Sequence, residues 1–193
     1  MSDSTRARRF SLPDLADERV DEAISTFLTG PEQRRGRPGP LASPPPGGNP
    51  FAALETRIAW QEAFRRETAR GVRYRRPSAV MIIAGEPTVD SPEAARWLGR
   101  VAAPIAHVVQ RGIRETDLVT RTGDARFQVL LPETTGREAT HIATRVIADC
   151  EVWLRAVQAP VRLRVASSGT TAHTTLEVAL ERALDAIETG PAA

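Results

Sequence analysis

The chain has 193 residues, of which 41% are hydrophobic and 26% are charged, and its formal net charge is +2. This length and composition are typical of one water-soluble globular domain with a core. All 26 Lys-plus-Arg positions are arginine, yet the net charge is small, which argues against a nucleic-acid-coating protein. No apolar run approaches membrane-spanning length, so we expect a cytoplasmic protein with neither a membrane nor a nucleic acid as partner.

Cysteine and histidine are scarce and scattered along the chain. The single cysteine, Cys150, rules out an intrachain disulfide and suits a reducing compartment. The three histidines lie far apart without the spacing of metal ligands. The sequence therefore predicts neither a histidine-based metal site nor a bound cofactor.

Residues 1–50 are rich in proline, glycine and arginine and predict a flexible tail. Within this tail, apolar residues recur loosely over residues 13–28, which indicates a short helix. Two interpretations stay open for it. It is either a helix that docks on a partner or on the domain, or a segment that is only transiently helical, because lone helices of this length are marginal in water.

Residues 51–193 predict one α/β domain, taken here in chain order. A first helix that runs to about Gly71 is indicated by Leu54, Ile58, Ala63 and Phe64. The apolar run 78–83 predicts a buried strand, and Ser91-Pro92 predicts the start of a second helix. Two strands follow at 117–122 and 127–131, joined by a tight turn that contains Gly123 and Asp124.

The rest of the domain predicts a third helix, a strand and a last helix. Capping-box patterns at 135–138 and 174–177 open the two helices, the second with Thr174 as its cap. Alternation over 161–165 indicates a half-exposed strand, on which Arg162 and Arg164 are expected to form a solvated face. The order predicts a single α/β sandwich with a mixed central sheet flanked by helices.

Three phrases around the hairpin carry a family resemblance. They are Arg70–Pro77, Arg114–Arg121 and Phe127–Thr134, and the last two flank the turn Gly123-Asp124-Ala125-Arg126-Phe127. In this order and spacing they resemble the GGDEF domains of bacterial diguanylate cyclases, over about residues 52–190. The resemblance implies a nucleotide-binding, signal-transducing domain with the nucleotidyl-cyclase-like fold.

The resemblance also bears on catalysis. Active members of the family join two GTP molecules into cyclic di-GMP with two divalent cations held by carboxylates. The matching positions here are Ala84 and the third and fourth letters of the turn, Ala125 and Arg126. Alanine offers no ligand and arginine repels a cation, so the resemblance implies a degenerate domain that is not an enzyme. Glu86 and Asp124 are the nearby carboxylates that would have to compensate.

A second motif of the family is retained. Arg114 and Asp117 form an Arg-x-x-Asp pattern five residues ahead of the turn, where many family members bind cyclic di-GMP, and the matching third residue is Arg145. Arginine can donate a fork to O6 and N7 of guanine, and aspartate can accept from N1–H and the amino group. The alternative is an idle surface ion pair.

These observations leave three hypotheses. The first is a cyclic di-GMP receptor that uses Arg114, Asp117 and Arg145. The second is a ligand-free interaction module that recruits a protein partner through its N-terminal segment. The third is residual cyclase activity. A homodimer and an unknown protein partner stay open.

Overall fold

The computed structural model describes residues 49–189, so the predicted helix at 13–28 lies outside the described residues. Four helices and four strands alternate along this part of the chain. The helices are α1 Arg57–Tyr74, α2 Pro92–Gly112, α3 Gly136–Ala156 and α4 Leu176–Thr189. The strands are β1 Ser78–Pro87, β2 Leu118–Gly123, β3 Arg126–Pro132 and β4 Val161–Gly169.

Local side-chain bonds set where three of the helices begin. The Ser91 hydroxyl accepts from the Ala94 amide at the start of α2, and Thr135 forms the full predicted capping box with Glu138 at the start of α3. The prediction for α4 was wrong by one residue. Thr175, not Thr174, accepts from the Val178 amide, while the Thr174 hydroxyl accepts from Arg182.

The sheet has the strand order β2-β3-β1-β4. The α/β sandwich is confirmed, but the expected mixed sheet is corrected, because all three strand pairings are antiparallel. One isolated bridge, between Glu55 and Thr120, is parallel. Strand β1 lies in the middle of the sheet, and Ser78 to Ala84 are all buried, since helices cover both of its faces.

Helices α1 and α4 cover one face of the sheet. Their buried side chains form a cluster with the sheet around Trp60, Phe64, Val80, Ile82, Leu130, Leu176 and Ile187. The rings of Trp60 and Phe64 stack at 5.2 Å between centroids. Trp60 and Phe64 define the inner face of α1, and Ile58, one of the apolar residues that indicated this helix, is 70% exposed.

Helices α2 and α3 pack against each other and against the opposite face. That face carries the fully buried side chains Met81, Ile83, Phe127 and Val129, as the two-residue alternation of strands requires. Within the described residues no helix is long and apolar enough to cross a bilayer.

Candidate functional site

The segment between α2 and β2 brings two of the predicted site residues into one turn. The Arg114 amide donates to the Asp117 carboxylate Oδ2 at 2.7 Å, and the Asp117 amide donates back to the Arg114 carbonyl at 3.1 Å. This pair of bonds explains why Arg114 and Asp117 are three residues apart, since an aspartate side chain is long enough to reach the backbone amide three residues earlier. Asp117 is 7% exposed, whereas Arg114 is exposed.

Arg145 reaches the same place from α3. Its Nη2 donates to the carbonyl of Gly112, the last residue of α2 and two residues before Arg114. The helices approach so closely that a Cβ built on Gly112 would lie 2.5 Å from Val146 Cγ2. We call Arg114, Asp117 and Arg145 the corner. The structure brings these three predicted residues together at one end of β2.

A further carboxylate, Glu138, lies beside the corner on the first turn of α3. Its Oε2 accepts from the Thr135 amide at 2.8 Å and from the Thr135 hydroxyl at 2.7 Å. These bonds, the first of them the larger, lower the pKa of Glu138 against an opposing desolvation effect, and the charges of Arg114 and Arg137 lower it further. The side chain is therefore an anion next to Arg114 at neutral pH.

The other end of β2 opens on a cleft of about 350 Å³, which we call the hairpin cleft. Its walls are Ala84, Gly85, Glu86, Gly123, Asp124, Arg126, Arg164, Ile187 and Glu188. Ala84 and Arg126 are direct cross-strand partners in the β1–β3 ladder. The cleft is therefore built by the end of β1, the hairpin turn, β4 and the last turn of α4.

The hairpin turn closes tightly on β1. Ala125 has φ 47°, is 0% exposed, and accepts a hydrogen bond from the Gly85 amide at 2.9 Å. A Cβ built on Gly85 would lie 2.8 Å from Ala125 Cβ and 3.3 Å from Leu98 Cδ2. Because position 85 is glycine, the backbone of β1 can approach the backbone of the turn at Ala125. The inner end of the cleft is therefore lined by small apolar groups.

Ion pairs occupy the carboxylates of the cleft. Glu86 accepts from Arg162 at 3.0 Å and from Arg164 at 3.1 Å. The expected solvated face is confirmed for the Arg162 side chain, which is 42% exposed, but was wrong for Arg164. The Arg164 side chain is 15% exposed and also donates to the Ala186 carbonyl at 3.2 Å.

The remaining acids of the cleft are paired as well. Arg126 approaches Glu188 at 3.8 Å and Arg121 holds Asp124 at 2.8 Å, with the Asp124 side chain 71% exposed. Three carboxylates of the cleft thus each face an arginine. Within residues 49–189, no group of three or more His, Cys, Asp or Glu side chains comes together as a metal site.

Cys150 and His107, which belong to neither the corner nor the hairpin cleft, have shifted pKa values. Burial and two neighbouring acids, Asp149 and Glu151, raise the pKa of the Cys150 thiol to about 12, so it stays protonated. Burial, with a smaller contribution from Arg111, lowers the pKa of His107 below its usual range. Neither group has the environment of a nucleophile.

Solved structures with the same fold are GGDEF domains. The YfiN (TpbB) GGDEF domain of Pseudomonas aeruginosa is 25% identical, with a TM-score of 0.56 over 70% of this chain and 89% of that one. DgcB of Caulobacter crescentus, solved as coiled coil and GGDEF domain with cyclic di-GMP, is 15% identical, with a TM-score of 0.55 over 72% and 78%. The P. aeruginosa diguanylate cyclase SiaD, solved with its activator SiaC, is 23% identical, with a TM-score of 0.56 over 74% and 58%.

The chain has a GGDEF-like fold. Comparisons with protein-family models and with curated proteins give no match.

In this GGDEF-like fold the residues of the signature turn have separate tasks. Gly123 ends β2, Asp124 and Ala125 make the turn, and Phe127 is completely buried in β3. The hairpin prediction is therefore confirmed. Arg126 projects into the cleft, where the side chain is 38% exposed.

Sequence reasoning missed the cleft residues contributed by β4 and α4. Arg162 and Arg164 share one face by strand alternation, which is visible in the sequence, but their partner Glu86 lies 76 and 78 residues earlier. Glu188 gives no signal beyond being an acid near the end of a helix. Long-range pairing across an antiparallel sheet was the information that the sequence lacked.

Proposed function

We propose that this domain is a non-catalytic GGDEF-like signalling domain that binds cyclic di-GMP at the corner. The observation that carries the proposal is the assembly of Arg114, Asp117 and Arg145 at the end of β2, through the bonds to Arg114 N and Gly112 O. The DgcB neighbour, solved in complex with cyclic di-GMP, supports the choice of ligand class.

The corner has the chemistry that a guanine edge requires. An exposed arginine can donate two parallel N–H bonds to O6 and N7, and a carboxylate can accept from N1–H and the amino group. Asp117 and Arg145 are already anchored to backbone groups, so these two side chains lose little conformational entropy when the ligand binds, whereas the Arg114 side chain is exposed. Preorganisation of this kind supports a binding site over an idle surface pair.

The hairpin cleft supports the non-catalytic half of the proposal. Divalent cations in cyclases of this family need carboxylate oxygens, and magnesium tolerates little misplacement of its ligands. Ala84 offers no oxygen donor in its side chain, and its cross-strand partner Arg126 brings a positive charge. Glu86, Asp124 and Glu188, the acids of the cleft, each face an arginine. This donor set does not fit a pair of metal ions.

Isothermal titration with cyclic di-GMP tests the receptor function. We expect micromolar or tighter binding by the intact chain and loss of binding in Arg114→Ala. Arg155→Ala removes an exposed arginine from the far end of α3 and is the matched control. Absence of heat at high ligand concentration, with the fold verified by circular dichroism, would refute the receptor function.

Turnover of GTP tests the non-catalytic half separately. The chain is incubated with GTP and Mg²⁺ or Mn²⁺, and the products are separated by chromatography. We expect no cyclic di-GMP. A product peak that disappears when the cation is chelated would show that the cleft still holds metal and that this half of the proposal is wrong.

A further inference from the structure

The outward face of α1 carries exposed aliphatic side chains that the sheet does not use. Ile58 is 70% exposed and Val72 is 74% exposed. They lie fourteen residues apart, close to four helical turns, so both lie on nearly the same line along the helix, about 21 Å apart. Arg65, exposed and halfway between them, lies on that same line.

The same face is strongly basic. Between Arg57 and Tyr74, the bounds of α1, the chain carries five arginines and two glutamates, although the net charge of the whole chain is only +2. One of the glutamates, Glu67, is buried and accepts from the Ser78 hydroxyl at 2.6 Å and from Arg70 at 3.3 Å. Its charge is therefore directed into the domain, and the exposed side of α1 is dominated by arginine.

We define the basic face of α1 as Ile58, Arg65, Arg66, Val72 and Arg73. Because residues seven apart repeat on one side of a helix, Arg66 and Arg73 form a second line beside the line from Ile58 to Val72. The face thus has an aliphatic side chain at each end. Arg65 lies between these two side chains, and Arg66 and Arg73 lie on the neighbouring line. An aliphatic pair with charges between suits a partner that is itself amphipathic.

We propose that the basic face of α1 is a docking site for an acidic amphipathic helix of a partner protein. Carboxylates on that helix would accept bidentate bonds from the arginines, and two apolar side chains about four turns apart would cover Ile58 and Val72. The surface differs from the corner, and the proposal does not depend on ligand binding there.

The charge distribution disfavours three other occupants. A second copy of this helix would bring like-charged rows together, since Arg65, Arg66 and Arg73 have Glu62 as the exposed acid among them. A lipid surface requires an unbroken apolar stripe, which Arg65 interrupts midway. A nucleic acid backbone would use the arginines but leave Ile58 and Val72 uncovered.

Fluorescence anisotropy with a synthetic probe tests this proposal on the full chain. The probe is a labelled peptide of about 20 residues with leucines at heptad spacing and glutamates elsewhere, compared with a scrambled peptide of the same composition. We expect the amphipathic peptide to bind at least about tenfold more tightly than the scrambled one, with an affinity that falls as salt rises.

Matched variants locate the binding. Arg65→Glu with Arg73→Glu should weaken binding at least about tenfold, and Val72→Ser should weaken it several-fold. The same charge change on α3, Arg137→Glu with Arg155→Glu, should change it less than about twofold. Circular dichroism and melting curves verify that each variant is folded.

Every other outcome overturns the proposal. Equal binding of the scrambled peptide means that charge alone acts. Equal losses in both double variants place the site elsewhere. Tighter binding of a single-stranded DNA oligonucleotide, or of phosphatidylcholine vesicles with phosphatidylglycerol, assigns the face to a phosphate-bearing surface. No binding of the peptide rejects the docking site.

Discussion

The two ends of strand β2 hold their charged side chains in different ways. At its start, the corner fixes Asp117 and Arg145 through backbone groups, namely the Arg114 amide and the Gly112 carbonyl. At its end, the hairpin cleft fixes Glu86, Asp124 and Glu188 through arginine side chains. One strand of six residues separates the two arrangements.

This difference indicates which end can accept a new charged ligand at low cost. Backbone anchors orient a charged side chain without cancelling its charge; at the corner Arg114 is exposed, whereas Asp117 is 7% exposed and must be uncovered before a base edge can reach it. Ion pairs must be broken before the same groups serve a metal or a phosphate, at a cost of at most about 1 kcal/mol for each of these partly exposed pairs. On this ground we propose the corner as the recognition site, because the acids of the cleft already have arginine partners.

The largest expected effect tests the structural role of the hairpin itself. Phe127→Ala should lower the free energy of unfolding by about 3–5 kcal/mol, because a completely buried aromatic ring leaves a cavity. Asp124→Ala, three residues earlier and largely exposed, should cost less than about 1 kcal/mol. Urea unfolding measures both. Similar losses in the two variants would contradict this assignment of roles within the turn.

A smaller loss should follow from filling the contact between β1 and the turn. Gly85→Ala should destabilise the domain by about 1–3 kcal/mol, since the new Cβ would lie 2.8 Å from Ala125 Cβ. Gly99→Ala in α2 is the matched control. No heavy atom lies within 4 Å of its added Cβ, so helix propensity should stabilise the protein by about 0.5–1 kcal/mol. A neutral Gly85→Ala would show that the cleft is open at its inner end.

At the corner, Asp117→Ala should lower stability by about 1–2 kcal/mol, because the Arg114 amide loses its carboxylate acceptor. Hydrogen exchange gives the sharper measurement. The Arg114 amide should lose protection in Asp117→Ala and keep part of it in Asp117→Asn, whose side-chain oxygen still accepts. Unchanged protection in the alanine variant would mean that the turn does not depend on the carboxylate.

The smallest effect is expected at the ion pairs of the cleft. Glu86→Gln weakens the contacts to Arg162 and Arg164, and because the groups are partly exposed the loss should be at most about 1 kcal/mol. The difference from the native chain should shrink toward zero in about 1 M salt. A loss that salt leaves unchanged would instead indicate a packing role for Glu86.

Local signals predicted much of this fold. Ser91 and Thr135 were recognisable caps, since a cap needs only residues one turn away. At the last helix the predicted cap, Thr174, was wrong, because the next residue, Thr175, accepts from the Val178 amide. The prediction of a mixed sheet was wrong for a different reason. The antiparallel pairing of β1 with β4 joins residues up to about ninety positions apart, and no local sequence pattern encodes such a pairing.

The site shows the same division. The register of Arg114 and Asp117 with the hairpin was readable, because both residues belong to one short turn. Two other contacts could not be predicted from the sequence, since each joins distant segments. They are the hydrogen bond from Arg145 to the Gly112 carbonyl and the ion pair of Glu86 with Arg164 of β4. Helical periodicity indicated α1 but did not say which of its apolar residues face the sheet, and Ile58 faces solvent.

A titration with cyclic di-GMP in which each region carries one arginine-to-alanine change tests the central claim most directly. The account predicts that Arg126→Ala, in the cleft, binds within about threefold of the intact chain, and that Arg114→Ala, at the corner, binds at least about tenfold more weakly. Loss of binding in Arg126→Ala with retention in Arg114→Ala would contradict it, and so would an intact chain that does not bind.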